Sequence, residues 1–262
     1  LVNLIGPSFI ILALGLGSGE VILWPYLTSK YALGIAWGAL LGITFQYFMN
    51  MEIERYTLVK GESVFVGLKS IFKWAPYWFI LSTFLGFGLP GIIAASSKVA
   101  AHLIGVSDYR WIAIAFLCII GLILSAGRTV YGMMEGLTKK IIMIGTPFIF
   151  VIALLLASAT DWFALGKGLV GVGESIASQP EGYWLLPIGI SLATFLAAFA
   201  YAGAGGNLNL TQSIYVKEKG YGMGKYAAKM SGFFRSRKHE DIDLKGADCD
   251  MSKTSIRRFK VW

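Results

Sequence analysis

From Leu4 to Thr28 the chain is apolar and carries a single charge, and that charge, Glu20, follows at once on the glycines and serine of "GLGSGEV". A run of about 20 apolar residues is what a helix needs to cross a bilayer. Glycine loosens such a helix, and a carboxylate inside it is expensive. A spanning helix that is interrupted at depth, with a polar group at the interruption, is the reading that reconciles the two.

Five more apolar segments follow, at 34–51, 75–104, 111–127, 141–159 and 183–216, the last like the first interrupted by glycines. Of 262 residues 56% are hydrophobic and 15% charged, with a mean hydropathy of +0.65, so a water-facing polar side is missing from most of the chain. Continuous runs rather than short alternating strands exclude a β-barrel. The expected class is an all-α, multi-pass integral membrane protein, with a six-segment domain over 1–216.

Lys and Arg resist translocation, so their distribution sets the orientation. With the N-terminus in the cytoplasm, the inner connections hold Arg55, Lys60, Lys69, Lys73, Arg128, Lys139 and Lys140, and the outer side only Lys30, Lys98, Arg110 and Lys167. Residues 217–262 add 12 Lys or Arg against 6 Asp or Glu and supply most of the net charge of +8. That segment reads as a flexible cytoplasmic stretch facing anionic lipid of a plasma or inner membrane. It carries no nucleic-acid recognition motif. Tryptophans near the segment ends suit the two interfaces. Cys118 and Cys249 differ too much in expected depth to pair, and the first segment lacks a cleavage pattern. The apolar opening without Met and the charged close "RRFKVW" are expected of a fragment of a longer transporter.

The first segment is broken at Gly17, Ser18, Gly19 and Glu20, and the sixth at "GAGGN", Gly203 to Asn207. Paired interruptions in apolar segments mark transporter sites, because unwound backbone and helix ends are freed to hold a solute. Glycine in such helices also serves close packing. The polar residues Glu20 and Asn207, each at the end of its break, favour a site.

The "GPSF" opening, the four-residue break, the "YALGIAW" entry to the second segment and "NLNL" after the second break together resemble the Nramp (natural resistance-associated macrophage protein) divalent-metal transporters. The resemblance extends from Gly6 to about Tyr215. It implies a LeuT-like fold, of which this chain would be the first five-helix repeat plus the first helix of the inverted second repeat, with helices 1 and 6 broken.

In that family the first break is Asp-Pro-Gly-Asn, with Asp and Asn as metal ligands; those positions are Gly17 and Glu20 here. The family's Ala-x-x-Met-Pro-His-Asn falls on Tyr201, Ala204, Gly205, Gly206 and Asn207, so the thioether and the histidine are absent. Sulfur ligands favour softer metals, so selection for iron or manganese over magnesium and calcium should weaken. What the resemblance leaves as metal ligands are Glu20 and Asn207, with freed carbonyls expected at Gly17 and Tyr201. One carboxylate makes a weak all-protein site suited to a hydrated cation.

Glu20 has three readings: a cation ligand, a proton carrier, or a structural group that caps the half-helix starting at "VILWPY" or pairs with Lys98. Gln46 either lines the cavity or bridges helices. Lys98 and His102, four apart on one helical face, either line it or lie at the outer surface. The family's third segment holds acidic residues that assist the proton, and no Asp or Glu stands here between Glu62 and Asp108. Proton coupling stays open.

No nucleophile and base pair, phosphate loop or metalloprotease spacing is present, so no enzyme and no cofactor is expected. The leading function is an Nramp-like secondary transporter for a divalent cation such as manganese, iron or magnesium. The alternatives are a transporter of the same fold for a small non-metal solute, and a non-transporting membrane scaffold or sensor.

Overall fold

The computed structural model describes residues 6–17, 19–88, 91–126, 130–203, 205–228, 245–247, 252 and 254–257. The described chain is mostly helical. In order, it forms α1 (Gly6–Gly15), a π-helical turn (Gly19–Leu23) that continues as α2 (Trp24–Tyr31), and a 3-10 turn at Leu33–Ile35. The helices α3 (Ala36–Lys60), α4 (Val64–Ile71), α5 (Ala75–Phe87), α6 (Gly91–Ile104), α7 (Tyr109–Ala126) and α8 (Val130–Leu156) come next. Then follow α9 (Ala159–Gly168), strands β1 (Val172–Gly173) and β2 (Tyr183–Trp184), α10 (Leu192–Ala200), α11 (Asn207–Lys219) and a 3-10 turn at Gly222–Tyr226.

Two compact units divide the chain: Leu1–Glu52 with Leu137–Gln212, and Ile53–Gly136 with Ser213–Trp262. In the first, β1 and β2 pair antiparallel, Val172 opposite Trp184 and Gly173 opposite Tyr183. Their hairpin drops the buried Tyr183 into a core with Leu27, Ile35, Phe195 and Ala198. Trp37 tilts against Phe195 at 5.1 Å between ring centres. Each large side chain buried in this way stabilises the fold by roughly 1.5–3 kcal/mol. Three bonds tie the hairpin and its return to the helices: Trp37 Nε1 donates to the Leu185 carbonyl at 2.8 Å, the Tyr31 hydroxyl to the Gly189 carbonyl at 3.0 Å, and the Tyr183 hydroxyl to the Tyr31 carbonyl.

In the second unit α6 and α7 pack as a helical pair, and Phe65 of α4 meets Phe79 of α5 edge-on at 5.0 Å. Lys219 donates to both oxygens of Glu135, at 2.5 and 2.8 Å, and its ammonium lies 5.8 Å from the Tyr131 ring.

By length and composition two helices can cross a membrane, Ala75–Ile104, which takes in α5 and α6, and Tyr131–Leu156 of α8; a third results if α1 and the Gly19–Tyr31 helix, bent by 43°, count as one span. Along α8 the side chains of Ile144, Leu155 and Leu156 are all exposed. The remaining expected segments differ as single helices for identifiable reasons. The α3 helix is 25 residues long but carries Glu52, Glu54, Arg55 and Lys60 in its second half. The apolar stretch of α7 is short, at Tyr109–Ser125.

The segment expected from Tyr183 is not helical at its start: β2 and a turn rich in Pro and Gly occupy it, and helix begins only at Leu192. Glu135, which falls between the expected segments 111–127 and 141–159, lies within α8, whose start contains helix-favouring Met, Glu, Leu and Lys. Lys217, where a polar tail is expected to begin, is still inside α11; it and Glu218 are buried, with Nζ to Oε1 at 3.7 Å. The helices α4 and α9 are additional, and α9 opens on a capping box between Ser158 and Asp161.

Candidate functional site at the two helix breaks

The first interruption falls at 16–18, and the second at 201–206. Glu20 therefore stands in the first turn of the resumed helix rather than in unwound chain, while Asn207 opens α11. Both breaks lie in the first unit, and the structure brings them together.

Their junction is the Glu20 carboxylate. Its Oε2 accepts the Gly17 N–H at 3.2 Å and its Oε1 accepts the Gly203 N–H at 2.6 Å, across 183 residues of sequence. A broken helix leaves backbone groups without helical partners, and where they are withdrawn from solvent another group must serve them. A carboxylate is the strongest side-chain acceptor available for that purpose. Neither donor belongs to the half-helix that starts at Val21, so the carboxylate links the two breaks rather than capping that helix.

The breaks touch as backbone. A Cβ added to Gly19 would come within 2.7 Å of Tyr201 Cβ and 2.9 Å of the Tyr201 carbonyl oxygen, so only glycine permits this approach. A Cβ at Gly42 of α3 would lie 2.6 Å from the Phe199 carbonyl oxygen. Gly203 adopts φ +108°, a left-handed conformation that favours glycine. Gln46, buried on α3, donates from Nε2 to the Ala200 carbonyl at 3.1 Å. It therefore bridges helices at the second break.

Of the other expected site residues, Ser18 and Ala204 lie outside the described residues. The Gly17 carbonyl, expected to be freed, accepts the Val21 N–H at 3.1 Å, because the resumed helix reaches back to it. The Tyr201 side chain is exposed, and its backbone faces Gly19. Lys98 and His102 belong to the second unit; the Lys98 ammonium sits 5.1 Å over the Tyr109 ring and His102 is exposed. Among the described residues no group of three or more His, Cys, Asp or Glu is placed to hold a metal.

Two features escaped the sequence reading. Gly38, Gly42 and Gln46 recur every four residues on one face of α3, and Gly38 and Gly42 are contact points for Phe195 and Phe199. Trp24 Nε1 and the Asn209 Oδ1 are buried without a hydrogen-bond partner among the described residues. The four-residue spacing is a legible signal; the orphaned atoms have none. No protein-family model, curated protein or solved structure matches the chain.

Proposed function

We propose that the chain is the broken-helix part of an Nramp-like secondary transporter with a LeuT-like fold, and that it moves a divalent cation, manganese, iron or magnesium, past the junction of the two breaks. The observation that carries this reading is the Glu20 carboxylate hydrogen-bonded to both interruptions. A carboxylate has about four acceptor positions, and two backbone donors leave room for a cation. With one carboxylate the cation keeps part of its water shell. The exposed apolar side chains of α8 support a multi-pass protein of the plasma or inner membrane, its N-terminus and basic 217–262 segment on the cytoplasmic side.

A small non-metal solute is the second reading, favoured by the lack of a ligand cluster among the described residues. Uptake of manganese, magnesium and calcium into liposomes holding the protein decides between them. Movement of manganese or magnesium that is lost in a folded Glu20→Gln variant is the expected result. If none of the three ions binds or moves, the cation reading fails.

A further inference from the structure

The C-terminal end of α10 is where an interrupted helix in an apolar segment is most exposed to loss of backbone partners, because its last carbonyls have no following turn to serve them. The Tyr201 N–H reaches back to the Ala197 carbonyl at 3.1 Å and the Ala202 N–H to the Phe199 carbonyl at 3.2 Å. The Ala200 carbonyl is reached by a side chain from 154 residues away, the Gln46 amide nitrogen. The same amide presents its oxygen to Gly203, where an added Cβ would lie 2.6 Å from it. Three residues on from Ala200, the Gly203 N–H goes to Glu20. A donor thus holds the carbonyl side of the second break and an acceptor holds its N–H side.

We infer that Gln46 is the positioning residue of the junction: it fixes the second break so that the Gly203 N–H meets Glu20, and does so without touching the cargo. This rests on reading the junction as a transport site, but its structural half can be measured separately. The chemistry of position 46 is specific. Leucine fills similar space and donates nothing. A carboxyl can replace the amide only while protonated, when its O–H can be given to the Ala200 carbonyl; ionised, it sets negative oxygen against carbonyl oxygen. The Gln46→Glu variant should therefore hold the break at acid pH and release it as pH rises, a behaviour that loss of packing cannot mimic.

The test is hydrogen exchange of the 196–203 backbone in lipid-embedded full chain, corrected for intrinsic rates, alongside manganese uptake. In Gln46→Leu, exchange near Gly203 should rise about tenfold at every pH, the effect of one lost buried hydrogen bond, and the uptake KM should rise. In Gln46→Glu, protection should match wild type in acid and fall in alkali, with α9 exchanging as in wild type at each pH. Should Gln46→Leu fail to fold, the pH response of Gln46→Glu, read on one sample, still decides. Identical exchange near Gly203 in all three proteins at both pH extremes overturns the inference. Wild-type protein that moves no manganese, yet shows the expected exchange pattern, sinks the transport reading and leaves the positioning role standing.

Discussion

The break after α1 spans three residues, and backbone bonds run beside it and across it: Leu16 N–H to the Leu12 carbonyl, Gly17 N–H to that of Gly15, Val21 N–H to that of Gly17. The break after α10 spans six; the Tyr201 and Ala202 N–H groups still reach back to α10, but the Gly203 N–H in its middle relies on Glu20, and the Ala200 carbonyl at its edge is held by Gln46. A short gap keeps its polar groups within reach of the neighbouring turns. A longer one moves them out of reach, so its conformation depends on tertiary contacts. The second break should be the more fragile of the two.

Removing the shared acceptor is the severest challenge to that difference. Glu20→Leu orphans the Gly203 N–H, at about 1–3 kcal/mol, while the Gly17 N–H keeps its bond to the Gly15 carbonyl, and should abolish cation uptake. Thermal unfolding in detergent reads the first effect; an unchanged melting temperature would mean the carboxylate bridge is dispensable.

Next come the glycines. Gly203→Ala puts a side chain at φ +108° and 2.6 Å from the Gln46 amide oxygen, at a cost of about 1–3 kcal/mol. Gly17→Ala places its Cβ no nearer than 3.4 Å from the Leu14 carbonyl oxygen and should stay within about 0.5 kcal/mol of wild type. Equal losses in the two variants would erase the distinction between the breaks. Gly19→Ala sharpens it from a third side, because its Cβ would press on the Tyr201 backbone. Uptake should fall while exchange in the α3 helix stays as in wild type.

The smallest effect belongs to a helix start that is wholly self-supplied. In α9 the Asp161 carboxyl is held below its usual range by the Ser158 hydroxyl and then the Ser158 N–H. A lowered carboxyl contributes stability above its unfolded-state pKa and loses it as pH falls through the folded value. Exchange over 159–165 should therefore rise on acidification, and Ser158→Ala should flatten that response without changing protection at Gly203. A change at Gly203 would show that α9 and the break are coupled.

Much of the helical layout is legible in the apolar runs, because α1, α3, α5 to α8 and α10 each cover part of one. Their ends are less so. The start of α8 at Val130 is polar and helical at once, and the Pro- and Gly-rich turn before Leu192 hides inside an apolar-looking segment. The interruptions and the choice of Glu20 follow from local pattern, since glycines and a buried-looking charge are visible without a partner. The bonds that define the junction are not, because they close loops of 183 and 154 residues and depend on where whole helices come to rest.

The 43° bend between α1 and the resumed helix turns that helix into a lever. Gly19 is its pivot and Tyr31 its tip, about 18 Å away at 1.5 Å per residue. A swing of only about 10° at the pivot would carry the tip about 3 Å, more than a hydrogen bond can stretch and survive. Tyr31 is fastened at both its hydroxyl and its carbonyl to the segment around the β-hairpin. Any tilt begun beside Glu20 must therefore either drag that segment with it or snap those fastenings, which makes a fluorescent pair at the tip and the hairpin a distant gauge of events at the break.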